Sequence, residues 1–129
     1  MSLKTESMVF KTQKSLQELT ELLRQAANQT KARVENVRND DPLGMYDEQP
    51  VLSVVLSRRL GTFLNLKYFA GSPDLVWAVQ VYVYEMNTER EVRLVALGST
   101  LGETILSQGR GFHLRASRDH MEILSGILR

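Results

Sequence analysis

A chain of 129 residues, 43% hydrophobic and 24% charged, has the size and composition of one soluble globular domain and can bury about two-thirds of the surface its unfolded form exposes. Sixteen Lys and Arg against fifteen Asp and Glu leave a net charge of +1, so no overall field draws the chain to nucleic acid or anionic lipid, and an electrostatic partner must be met by a local patch. The absence of cysteine excludes disulfides, thiolate nucleophiles and Cys-containing zinc sites, which leaves carboxylates, two histidines, hydroxyls and arginines to carry any chemistry.

The polar start "MSLKTESMVF" lacks the apolar core of a signal peptide, and Met1 to Leu3 read as an expression leftover. No apolar run approaches the ~20 residues of a membrane span. The expectation is a cytoplasmic protein with no membrane partner. No repeat, low-complexity tract or Gly/Pro-rich linker divides the chain, so residues 1–129 read as a single domain.

In "SLQELTELLRQAA" the residues Leu16, Leu19, Leu22, Leu23 and Ala26 recur at helical spacing. Ser15 and Glu18 form an S-x-x-E capping box, and the pattern predicts a helix over 16–27. "KARVENVR" alternates and predicts a short strand with Ala32, Val34 and Asn36 opposite Arg33, Glu35 and Val37. The segment "NDDPLGMYDEQP", with two prolines and a glycine, reads as a loop. Its Asp40, Asp41, Asp47 and Glu48 do not follow the ligand order of an EF-hand, so a solvated loop is preferred to a metal site.

"VLSVVLS" and "TFLNLKYF" read as strands, although residues 62–69 also admit a helix, and "AGSPD" turns the chain. The strongest β pattern follows. In "VWAVQVYVYE" the residues Trp77, Val79, Val81 and Val83 share one apolar face. "EVRLVAL" pairs with this run through a turn at Asn87 and Thr88, with Asn87 suited to a left-handed turn position. Val83 then meets Val92, Val81 meets Leu94 and Val79 meets Ala96, while on the other face Tyr84 meets Glu91 and Tyr82 meets Arg93, and Glu85 meets Arg90. A slip of one residue would turn every side chain to the wrong face, so the pattern fixes hairpin and register together.

Downstream, Thr100 and Glu103 in "STLGETILSQG" offer a second capping box that Gly102 weakens, and residues 99–107 stay open between strand and helix. In "SRDHMEILSGILR" the residues Met121, Leu124, Ile127 and Leu128 form a stripe behind Ser117 as N-cap. The expected fold is therefore α+β: an antiparallel β-sheet of about four or five strands, built as a central meander, with an N-terminal and a C-terminal helix packed on one face.

The segment "QGRGFHLRASRDH" concentrates three arginines and both histidines. With "FHLR" as an edge strand and Ser117 opening the last helix, Arg110, Arg115, Arg118 and His113 stand where a helix N-terminus could help hold a phosphate-bearing ligand. The plainer account has the arginines covering a sheet edge, with Asp119 complementing the helix dipole. There is no P-loop, and G-x-G alone has little specificity. Catalysis by His113 or His120 ranks third. Asp119 and His120 are helix neighbours that point apart, and neither histidine belongs to a nucleophile or metal motif.

Gln80, Tyr82, Tyr84 and Val95, with Leu97, share the hairpin's second face, and tyrosine is enriched at interfaces. With both helices on the Trp77 side, that face is covered either by another part of the chain or by a second subunit. The leading functional expectation is a non-catalytic interaction or binding module that self-associates through a sheet face into a homo-oligomer or meets a protein partner. The alternative is an anion, phosphate-ligand or nucleic-acid binder using residues 110–118. Near-neutral charge and the lack of an RNA-recognition signature weigh against nucleic acid. No cofactor, metal site or catalytic residue is assigned.

Overall fold

A computed structural model describes residues 4–40, 43–44, 48–58, 77–98 and 114–129, and the architecture is that of these residues. In chain order they form β1 (Lys4–Thr12), α1 (Leu16–Thr30), β2 (Arg33–Arg38), β3 (Leu52–Arg58), β4 (Trp77–Glu85), β5 (Arg90–Gly98) and α2 (Leu114–Leu128). The five strands make one antiparallel sheet in the order β1-β5-β4-β3-β2. Strictly alternating directions leave β1 and β2, the outer strands among the described residues, parallel to each other, with α1 as the connection between them. The arrangement is α+β with a helix near each end of the chain.

α1 starts where the capping box puts it. The Glu18 backbone N–H donates to Ser15 Oγ at 3.1 Å, and the Ser15 N–H donates to Glu18 Oε1 at 3.0 Å. The Ser15 backbone bond, then the hydroxyl, holds the Glu18 carboxyl below the usual carboxylate range. The helix runs to Thr30, three residues past the expected end. Lys31 closes it in the left-handed conformation (φ 58), while the N–H of Ala32 reaches back to the Ala27 carbonyl at 2.8 Å, a Schellman arrangement made without glycine.

The β4–β5 register agrees at every expected pair, from Val79 with Ala96 to Glu85 with Arg90. The turn differs in its backbone. The Met86 N–H donates to the Glu89 carbonyl at 2.9 Å, and Asn87 does not enter the left-handed region. Trp77, Val79, Val81 and Val83 are buried in one cluster with Val92, Leu94 and Ala96 of β5, Val54 and Leu56 of β3, and the stripes of both helices, among them Leu19, Leu23, Met121 and Leu124. Both helices therefore lie on the Trp77 face, as expected.

Two strands differ from the sequence pattern. Residues 4–12 form a regular nine-residue edge strand against β5, with Met8 and Phe10 half-buried against the core. β2 pairs with β3 at Arg33–Ser57, Val34–Leu56 and Glu35–Val55, but then shifts register before Arg38–Ser53. This β-bulge breaks the strict alternation expected over 32–37. The expected strand over 62–69, the "AGSPD" turn and the Thr100–Glu103 capping box lie outside the described residues.

Candidate functional site

The second sheet face, the side of the expected interface, is closed within the single chain. Gln80, Tyr82, Tyr84 and Val95 are at most 3% exposed. Tyr82, Tyr84 and Val95 form a second apolar cluster, joined by Leu43 and Leu97, and the Leu43 N–H donates to Tyr82 Oη at 3.4 Å. The loop after β2 thus folds over the tyrosines. Gly44 at φ +65 gives it a backbone turn that side chains resist. The tyrosine surface is therefore buried within the chain, with Leu43 of the loop packed on Tyr82, Tyr84 and Val95 and the Gln80 amide bonded to Ser53 and the Val54 carbonyl of β3.

Arg93 ties that loop to the sheet. Its guanidinium donates to Glu91 Oε2 on its own strand at 2.5 Å and to Glu48 Oε2 at 2.8 Å, and lies 4.1 Å from the centre of the Tyr84 ring. Burial opposes the charge of Arg93, but the hydrogen bonds from Glu91 and Glu48 more than reverse that, so the group holds its proton more tightly than a free arginine. Glu48 and Asp40 of the acidic loop are thus engaged in ion pairs, with Arg93 and with Arg38. Asp41 and Asp47 lie outside the described residues, and among those described no group of three acidic or histidine residues could hold a metal.

Of the arginine segment, Arg110 and His113 lie outside the described residues. The "FHLR" strand is corrected at its C-terminal half: α2 begins at Leu114, so Leu114 and Arg115 are helical. Arg115 and Arg118 are exposed and one turn apart on α2. Asp119 falls beyond the first turn, where it cannot complement the dipole as expected. Ser117 is likewise not an N-cap. It is buried inside the helix, and its Oγ accepts from the Ala78 backbone N–H at 3.0 Å, which pins α2 to the start of β4. Ser117→Ala is expected to lose about 1–3 kcal/mol in denaturant unfolding, because a buried amide is left without a partner, and to speed hydrogen exchange at Ala78.

His120 points away from Asp119 chemistry. Its ring stacks on the buried Trp77, with centroids 4.0 Å apart and planes 8° from parallel, and its Nδ1 lies 2.9 Å from the Ala116 carbonyl oxygen, to which it donates. The stacking packs α2 on the sheet, and the bond to Ala116, within the helix, fixes the ring in that orientation.

An apolar strip that sequence reasoning did not find lies at the opposite side of the helical face. Between α1 and β2 a groove of about 260 Å³ is floored by Leu23, Leu52 and Val54 and walled by Val34 and Val37, with Thr20 and Arg24 at its rim. Val34 is 47% and Val37 65% exposed. In a regular strand, residues three apart point to opposite faces. The bulge between Glu35 and Arg38 is what brings both valines to the helix side, and an alternating pattern carries no signal for it. No helix of the described residues is long and apolar enough to cross a membrane. No family model, curated protein or solved structure matches the chain.

Proposed function

We propose that this chain is a non-catalytic interaction module that docks a protein partner on the apolar strip between α1 and β2. The observation that carries the reading is the exposure of Val34 and Val37 beside buried Leu23 and Val54. Solvent-facing valines adjoining an open apolar floor stabilise a complex when covered, whereas scattered single exposed residues do not mark a site. The engagement of His120 with Trp77 and Ala116 also favours a binding role for the fold over acid–base work at that ring. The cytoplasm is the setting this reading takes, and a cysteine-free chain suits a reducing compartment.

The strip is testable with an apolar dye. Anilinonaphthalene sulfonate places an aromatic body on such a floor and its sulfonate near Arg24. Wild-type protein is expected to enhance its emission, and Val34→Glu with Val37→Glu to reduce that enhancement several-fold with an unchanged circular-dichroism spectrum. Equal enhancement by the folded variant would remove this strip as the docking surface.

A further inference from the structure

Resting on the reading of the α1–β2 strip as the docking surface, we infer that its partner is a second copy of the chain, joined β2 to β2 across a twofold axis. β2 reads "RVENVR", which is close to a palindrome. Run antiparallel to itself about a centre between positions 35 and 36, it sets Val34 opposite Val37 of the second copy, and Val37 opposite Val34. Such a pairing is isologous and closes on itself.

Side-chain direction decides whether that register is allowed. Directly opposed residues of paired strands lie on the same face. In an unbulged strand Val34 and Val37 would face opposite ways, and the register would set an apolar side chain against none. The shift between Glu35 and Arg38 puts both valines on the helix side, so the four valines of two copies meet over one continuous floor made from both grooves. The register also sets Arg33 opposite Arg38 of the second copy, a like-charge contact that the Arg38–Asp40 ion pair of each copy partly offsets.

Among the described residues the other outer strand, β1, offers a longer regular edge. Its one large apolar side chain with substantial exposure is Val9, and the charged Lys11 is exposed beside it, the kind of residue that discourages strand addition. β2 therefore carries the stronger apolar complement. A six-residue, bulged edge is small beside the ~800 Å² per partner of a standard stable interface. The dimer is accordingly of micromolar strength and forms reversibly.

Sedimentation of the full chain over the micromolar range tests this. Wild type is expected to pass from monomer to dimer with concentration, Val37→Glu to stay monomeric at every concentration, and Val9→Glu to dimerise as wild type does. Because the chain has no cysteine, a cross-link reports the register directly. Val34→Cys protein mixed with Val37→Cys protein should form a disulfide dimer several-fold faster than either alone, since directly opposed Cβ atoms lie about 4.5–5.5 Å apart. A monomeric wild type, a dimer that survives Val37→Glu, a dimer lost only in Val9→Glu, or equal cross-linking in the mixed and separate samples would each overturn the inference. Dye bound by a chain that stays monomeric removes the second copy but keeps the docking strip; no dye binding and no dimer remove both.

Discussion

Val81→Asp is expected to leave the chain unfolded at room temperature. Val81 sits in the middle of β4, paired with Val54 on one side and Leu94 on the other, and fully buried beneath the helices. A carboxylate there meets no donor and stays neutral only by taking up a proton, a penalty of several kcal/mol. The lost apolar contact adds about 2 kcal/mol. Together these approach the 5–15 kcal/mol that holds a typical domain folded. Circular dichroism and thermal unfolding of the variant give the answer, with Val81→Ala as a milder control expected to remain folded. Cooperative unfolding of Val81→Asp near the wild-type temperature would show that this face is not the inside.

Removal of the Arg93 side chain has the next largest expected effect. Arg93 and Glu91 are only 14% and 12% exposed at the side chain, so Arg93→Ala strands a carboxylate that has been drawn out of water by its partner. A loss of about 3 kcal/mol in denaturant unfolding follows, the range for breaking a largely buried pair from one side. Replacing both partners, Arg93→Met with Glu91→Leu, should recover most of that loss, because no orphaned charge remains. Glu48 is 65% exposed, and Glu48→Gln should change stability by less than about 1 kcal/mol. Equal losses for Glu48→Gln and Arg93→Ala would mean that the loop latch, rather than the buried charge, dominates.

The sequence is most legible where two constraints agree. The β4–β5 register follows from apolar pairs on one face and charge-complementary pairs on the other and appears at every expected pair, and α1, from a stripe plus a capping box, starts at the expected residue. β1 escapes a reading by pattern because an outer strand half-covered by helix needs little apolar content, and "KTESMVFKT" supplies only Met8, Val9 and Phe10. Serine suits a cap, which is why Ser117 resembles one, but its hydroxyl serves a strand amide across the core instead, a tertiary use with no local mark. Which element covers Tyr82 and Tyr84 depends on the path of a loop, and the Val34–Val37 strip on a bulge. Neither leaves a period in the sequence.

The pairing of β1 with β5 also sets a clock on synthesis. Phe10 lies opposite Val92, so the first strand leaves the ribosome some eighty residues ahead of the strand it joins. At roughly 5–20 residues per second, about 4 to 16 seconds pass before β5, the strand it pairs with, is made. Throughout that interval the nascent segment carries Met8, Val9 and Phe10 without their β5 partners, flanked by lysines at positions 4 and 11, the kind of charged residue that discourages an apolar segment from joining another chain.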